Sequence, residues 1–476
     1  MVPITEKGMV ALEAKWKALI VICIGIFMST LDGSILNIAN PTIARSMSVS
    51  MQQVQWVVTS YMLVITATLL FFGKLGDQKS SSKIYTYGFL VFTIGSFLCS
   101  LASTLQFLIA ARIFQAIGAS MMMATGIGIV SNAFPAKERG KALGITGSIV
   151  GIGNMTGPSL GGLLVAQFSW PVIFLLNIPI GLAGFILATR YLPVDSPAPG
   201  HAQFDLQGNL LFALAATLLL LGLSQSTSIN YNLLFLGIVF LLLFILVERR
   251  HPYPLLDFHL FYIKNFTYGN TMSFLSYATQ TAAIFLLPFY MDRLLHLSPA
   301  TSGLIMTITP VSMALTAPLA GNLSDKIGAP RLTSVAFLLM SCGHFILSTL
   351  STNYDLPRIA LGLLLLGIGM GSFGSPNNSS ILGSIPKEKA GYAGGFIATI
   401  RNFGFALGIA ASVSTFTLLF NHKAQGLPYI LAYTGASAWV YRINAAVCLF
   451  GLLLSVISSQ HRQPGQNSCQ NFDQPV

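Results

Sequence analysis

Residues 73–83 read Gly-Lys-Leu-Gly-Asp-Gln-Lys-Ser-Ser-Ser-Lys, and residues 321–331 read Gly-Asn-Leu-Ser-Asp-Lys-Ile-Gly-Ala-Pro-Arg. Both hold the pattern Gly-x-Leu-x-Asp directly after a long apolar run, and a second apolar run follows each. One short polar motif at matching places in two series of apolar runs is an internal repeat. It predicts two halves, each with this loop after its second helix, and it decides how the rest of the chain is read.

The apolar runs extend outward from these loops. The chain has 476 residues, 54% of them hydrophobic and 8% charged, with a mean hydropathy of +0.72. A soluble domain carries about 25% charged residues, so most of this chain faces lipid or other helices. A bilayer core takes about 20 apolar residues per helix. About fourteen such runs are present. Six lie at 18–38, 54–72, 84–105, 107–134, 142–168 and 172–188. Two short, almost purely aliphatic runs follow at 210–223 and 233–247, then six more at 272–290, 303–320, 332–350, 359–382, 391–420 and 439–457. The expected fold is an all-α polytopic membrane protein: two pseudo-symmetric six-helix bundles with two inserted helices. Residues 1–192 would form the first bundle and 193–263 a linker with the inserted pair. Residues 264–460 would form the second bundle and 461–476 a cytoplasmic tail. The Leu-rich inserted pair is expected to face lipid, with no binding role. The first run has no signal-peptide cleavage site after it and reads as a span.

The net charge of +11 is topological. With both termini inside, 18 of the 25 Lys and Arg fall on the cytoplasmic side, 5 outside and 2, Arg112 and Arg401, within spans. That asymmetry satisfies the positive-inside rule and removes nucleic acid as a partner. The five cysteines have no metal-ligand spacing and read as small apolar residues. No Walker-type phosphate loop is present, which excludes ATP as the energy source. No nucleophile or metal constellation appears, and the loops are too short for a catalytic domain, so the chain does not read as an enzyme.

Several motifs are specific. The loop at 73–83 is similar to the signature loop of the major facilitator superfamily, and the loop at 321–331 repeats it. The fifth run holds Gly144, Gly153, Gly157-Pro158 and Gly161-Gly162, which resembles the glycine/proline motif of the superfamily's antiporters. The stretch from Leu31-Asp32 through Asn37 to Pro41 resembles the first-span motif of its fourteen-span drug:proton antiporters. Arg112 with Gln115, and Trp170 with Asn177-Ile-Pro179-Ile-Gly181, match the same subfamily. Gln78, Ser80 and Ala116 depart from the usual pattern. Five motifs in order on the expected spans cover essentially the whole chain. The resemblance implies a secondary transporter with a site between parallel repeats, driven by a proton gradient and needing no cofactor or metal. It implies export of small amphipathic compounds, cationic ones included, by a monomer in the cell membrane. A proton-linked metabolite exporter or importer, a lipid translocase, and a non-transporting receptor are the alternatives. Nothing in the sequence decides whether a periplasmic adaptor takes part.

Of the fourteen acids, only Asp32 lies well inside a run. A charge at that depth costs a few kcal/mol on insertion scales and usually has a task. At 1.5 Å per residue, Asp32 falls about 21 Å from the cytoplasmic edge and Arg112 about 22 Å, so the two share one level. Burial favours a neutral carboxyl and a guanidinium favours the charged one. A carboxylate balanced between them can load and lose a proton, and Asp32 with Arg112 is the expected proton-coupling pair; a static ion pair is the plainer alternative. Asn37, Gln115, Arg401 and Asn377 are the candidate cavity residues. Arg401 lacks an acid at its depth, and Asn377 follows Pro376, whose freed backbone it could satisfy. Gly73, Asp77, Gly321, Asp325 and Gly328 are the expected cytoplasmic gate. Met121, Met122, Met123 and His344 read as core, and Trp16, Trp56, Trp170 and Trp439 as an interfacial belt.

Overall fold

The computed structural model describes residues 6–193, 205–223, 230–251, 256–351, 355–386 and 390–460. Within the helices some side chains, those of Asp77 and Asp325 among them, lie outside that description. So do the tail at 461–476 and most of the linker before Asp205.

The first half comprises α1 (Glu6–Ser46), α2 (Met51–Gln78), α3 (Ser81–Ser100), α4 (Leu105–Ala133), α5 (Ala136–Gln167), α6 (Val172–Leu175) and α7 (Asn177–Tyr191). A hairpin of α8 (Leu206–Leu223) and α9 (Tyr231–Glu248) follows, then the single turn α10 (Phe258–Phe261). The second half comprises α11 (Lys264–Arg293), α12 (Pro299–Met306), α13 (Ile308–Ile327), α14 (Ala329–Leu347), α15 (Leu356–Leu382), α16 (Ala390–Ala424) and α17 (Tyr429–Gln460). All fourteen apolar runs fall on helices. Eleven helices among the described residues are long and apolar enough to cross a membrane, and Gln207–Leu223 is a shorter apolar one.

Two runs read as single spans are broken, α6 from α7 at Leu176 and α12 from α13 at Thr307. Each break stands three residues before a proline, Pro179 and Pro310. Proline lacks the N–H that a continuous helix would bond and crowds the preceding turn, so both helices restart there.

One end of the bundle carries Lys15, Lys79, Lys83 and Lys326 and is called the basic end; Arg45 and Asp292 stand at the far end. The halves meet along α5 and α12 and along α2 and α16. Gly147, Gly151, Pro158 and Gly162 follow one stripe of α5. At the far end this stripe is packed: a Cβ on Gly162 would overlap the Pro299 carbonyl, and one on Gly303 would overlap the Pro158 carbonyl. Toward the basic end a Cβ on Gly147 or Gly151 would meet nothing within 4 Å. Arg45 Nη2 and Asp292 Oδ1, 2.6 Å apart, tie the halves at the far end. The two halves are therefore closed at the far end and open toward the basic end.

The inserted hairpin does more than face lipid. Ala216 and Leu220 of α8 pack with Leu63 of α2 and with Ala406 and Ala410 of α16. Phe212 lies 6.1 Å from Phe403, centroid to centroid, and Ser414 Oγ donates to the Leu223 carbonyl. The hairpin covers the α2–α16 seam. The expected interfacial belt needs a similar correction: Trp170 is 6% exposed and its Nε1 donates to Ser46 Oγ at 3.3 Å, so it seals the far end of the first half. Cys342 is exposed, whereas Cys99 and Cys448 are buried; Cys469 lies outside the described residues.

Candidate functional site

The packing of α3 on α4 prepares the site. Gly95 admits the backbone of Gln115, and Gly118 admits that of Phe92, closer than any side chain would allow. Small residues at such crossings let helix backbones approach. Here they bring Ser96 to Gln115 and set the Arg112 turn of α4 against α1.

Asp32 is 1% exposed and Arg112 fully buried. Arg112 Nη1 donates to Asp32 Oδ2 at 2.6 Å and to Gln115 Oε1 at 2.7 Å, and its Nε donates to the Val57 carbonyl of α2 at 3.1 Å. Asp32 Oδ1 accepts from Gln115 Nε2 at 3.0 Å and from Asn177 Nδ2, at the start of α7, at 2.8 Å. Gln115 Nε2 also donates to Ser96 Oγ at 2.8 Å. The Tyr61 ring lies 4.0 Å under the guanidinium and the Phe174 ring 5.8 Å from it, within cation–π range. Both carboxylate oxygens are thus held by side chains from two other helices, α4 and α7. A buried pair bonded this fully offsets its desolvation. Arg112 Nη2, Asn177 Oδ1 and Tyr61 Oη are buried and have no partner among the described residues, so the network has capacity left for water or a ligand group.

The other expected residues are dispersed. Gln115, read as a cavity residue, belongs to the carboxylate cluster instead. Asn377 is 1% exposed, and its Nδ2 donates to the Gly269 carbonyl at 3.1 Å and to Ser273 Oγ at 2.8 Å. It joins α15 to α11 rather than lining a cavity. Asn37 and Arg401 are half-buried, and Arg401 makes no ion pair among the described residues. Gly153, Gly157 and Gly161 seat α5 on Thr30, Ser34 and Ile35 of α1, and Ser34 Oγ donates to the Gly153 carbonyl at 3.1 Å. Gly144 falls outside the described side-chain environment. Of the gate residues, a Cβ on Gly73 would meet nothing within 4 Å, one on Gly321 would stand 3.5 Å from Ser375 Oγ, and Gly328 links α13 to α14 with φ 89°. The side chains of Asp77 and Asp325 are outside the description. Met122 is core, and His344 is fully buried with neither ring nitrogen partnered among the described residues. No group of His, Cys, Asp and Glu among them could hold a metal ion.

Sequence reasoning missed Tyr61, Ser96 and a second polar level nearer the far end. Asn40, Gln55 and Thr59 are fully buried, and their side-chain polar atoms have no partner among the described residues. The signal was present as polar residues, Gln55 and Thr59 inside one apolar run and Asn40 just past the end of another. It missed Asp205 and Glu248 too, which are 0% and 1% exposed at the foot of the hairpin.

A two-halved helical bundle with a buried charged network in one half, open at one end and closed at the other, defines a membrane transporter. The model of the Major Facilitator Superfamily matches residues 22–249 and 270–470, and the chain belongs to that family. It is 49% identical over 448 residues to the riboflavin transporter RibZ of Clostridioides difficile (strain 630), a match covering 94% of this chain and 98% of that one. It is 32% identical over 394 residues to the multidrug resistance protein Stp of Mycobacterium tuberculosis (strain ATCC 25618 / H37Rv), covering 81% of this chain and 73% of that one. Among solved structures it resembles a peptide transporter POT in complex with sulfate, with a TM-score of 0.69 at 15% identity and 94% of each chain covered. It also resembles a bacterial homologue of the lysosomal transporter Spinster in an inward-facing, unoccupied conformation, with a TM-score of 0.66 at 13% identity, covering 94% and 97%. These likenesses show the fold. The protein is a multi-pass membrane transporter of that family.

Proposed function

We propose that this protein carries riboflavin, or a flavin of similar build, across the cell membrane by alternating access. The observation that carries this reading is the 49% identity to a riboflavin transporter along nearly the whole of both chains. The halves at 1–192 and 264–460 rock about the central axis, with both termini in the cytoplasm as the charge distribution requires. Asp32 takes and releases the driving proton, and Arg112 tunes that carboxyl by favouring its ionised form. The test is flux of labelled riboflavin in proteoliposomes holding the full chain, with and without a pH gradient. The expected result is saturable flux that a pH gradient accelerates, and loss of that acceleration in Asp32→Asn. Absence of riboflavin flux in correctly inserted protein overturns the cargo. An unchanged pH response in Asp32→Asn overturns the proton site.

A second reading has its own support. The α5 glycine/proline stripe resembles that of drug:proton antiporters, and a multidrug resistance protein is 32% identical. On that reading lipophilic cations leave in exchange for protons. Moving a panel of such cations in the same vesicles, with riboflavin inert, selects it.

A further inference from the structure

The second half holds a cation that the proton site does not use. Arg401 lies in the interior of α16, half-buried, and makes no ion pair among the described residues. A charge within a span is costly and usually has a task. Contacts on either side of α16 fix the direction of its face. A Cβ on Gly404 would lie 3.1 Å from the Phe274 carbonyl oxygen of α11, and one on Gly408 would overlap that of Ala278. Ala406 and Ala410 pack with Leu63 of α2 and Leu220 of α8. Between these two sides runs the stripe Gly394, Ala398, Arg401 and Phe405, at helical spacing. Ala398 packs against the core of the first half, so the stripe faces the space between the halves rather than lipid. A Cβ on Gly394 would meet nothing within 4 Å, so that space is unfilled toward the basic end.

The neighbouring helix α11 presents a matching face. Its other sides are taken: Gly269 meets Ile381 and Asn377 of α15, Ser276 donates to Met340 of α14, and Thr279 accepts from Cys448 of α17. Tyr277 is half-buried, and its ring lies 5.3 Å from that of Phe405, at 49°. Gln280, one turn further on, has a buried Oε1 with no partner among the described residues. Gly404 meets α11 at Phe274 and Tyr277 and Gly408 meets it at Ala278 and Thr281, so the two helices run in the same direction. Arg401, the ring pair and Gln280 therefore follow one another from the basic end toward the far end. A guanidinium offers a planar fork of donors to carbonyl, carboxylate or phosphate oxygens. Ring faces take up a planar apolar ring, and an amide oxygen accepts an N–H. None of these groups is acidic, and Asp32 is already held by Arg112, Gln115 and Asn177.

We infer that Arg401, Tyr277, Phe405 and Gln280 form the cargo-binding wall of the second half, and that this wall takes a planar aromatic solute with an anionic or carbonyl-rich edge. On the transport reading above, on which this rests, the row selects cargo by charge. Arg401 donates to the acceptor edge, the Tyr277 and Phe405 rings lie against the ring system, and Gln280 accepts an N–H. Riboflavin is planar, uncharged at neutral pH, and has one edge built of carbonyl oxygens and an N–H. A lipophilic cation meets a like charge where the dielectric is low and repulsion is strong. The wall thus separates the two cargo readings by a single residue.

The test is equilibrium binding to the purified full-length protein by calorimetry, with three planar probes: riboflavin, the anion naphthalene-2-sulfonate and the cation ethidium. Riboflavin and the sulfonate should bind, and ethidium should not. Arg401→Gln should weaken both by about tenfold or more, the scale of a hydrogen bond to a charged group. Arg401→Lys should recover most of the sulfonate affinity, and Tyr277→Ala should weaken both probes by about threefold or more. Unchanged affinities in Arg401→Gln overturn the site, and riboflavin binding that survives there leaves the flavin reading standing without it. Loss of binding together with a fall in melting temperature, and with no rescue by Arg401→Lys, marks a scaffold residue and overturns the site too. Ethidium bound as tightly as the sulfonate overturns the charge selection. Arg401-dependent binding of the sulfonate without riboflavin supports the site and removes the flavin reading. Binding of none of the three overturns both.

Discussion

The two halves share a topology and differ in what they bury. In the first, α1 through α4 and α7 are laced by a charged network around Asp32 and Arg112. In the second, the buried helix contacts are made by neutral groups, and Arg401 of α16 is half-buried with no ion pair among the described residues. Asn377 joins α15 to α11, Thr333 Oγ1 and Ser455 Oγ lie 2.6 Å apart between α14 and α17, and Ser341 Oγ donates to the Ala445 carbonyl at 3.0 Å. Rings fill the rest, with Phe337 on Phe373 and Phe416 on Tyr433. Neutral hydrogen bonds and ring contacts suffice to hold helices together. The ionic network in the first half is a costlier way to hold helices, because an apolar repacking would hold them at no desolvation cost. Among the described residues the buried ion pair stands in the first half.

The largest test of that contrast is Arg112→Ala. It leaves the Asp32 carboxylate buried without its cation and should cost about 3–5 kcal/mol, read as a sharp fall in the melting temperature of detergent-solubilised protein. The double variant with Asp32→Asn should recover much of it. Next is Gly303→Val. The new side chain overlaps the Pro158 carbonyl and should cost about 1–3 kcal/mol by overpacking; faster maleimide labelling of Thr42→Cys would report the pried far end. The repeated loops give a finer comparison. Gly328 has φ 89°, a backbone region that disfavours side chains, and Gly328→Ala should cost about 1–2 kcal/mol. Ser80, at the corresponding place in the first loop, has φ 177°, and its Oγ accepts from Lys83 N. Ser80→Gly should cost a few tenths of a kcal/mol. Equal effects would mean that the loops are not distinct in backbone. Smallest is Arg45→Ala: the arginine is 63% exposed in its pair with Asp292, so the loss should stay below about 1 kcal/mol and shrink in high salt.

Much of this was legible in the sequence, and the limits have physical causes. Apolar runs mark helices because lipid leaves no other way to satisfy a backbone, and all fourteen runs fall on helices. Counting residues along α1 and α4 placed Asp32 and Arg112 at one level, and the ion pair stands there. Depth, however, is one coordinate. Which way a side chain faces depends on neighbouring helices, so Gln115 and Asn377, both taken for cavity residues, turn inward to Asp32 and to α11. The breaks at Leu176 and Thr307 were signalled by Pro179 and Pro310 and passed over because the apolar runs continue through them. Asp205 and Glu248 looked solvated at the ends of short runs. Their burial comes from the packing of α8 on α2, which no local pattern records.

The hairpin's place over the α2–α16 seam bears on how cargo enters. A two-halved bundle has two lateral seams through which a solute dissolved in the bilayer could slip sideways. Here α8 roofs one of them with Phe212, Ala216 and Leu220. The other seam, between α5 and α13, runs past the unfilled stretch at Gly147 and Gly151. One seam is therefore sealed by a helix that lies outside the repeat, and the two sides of the bundle present unequal faces to lipid.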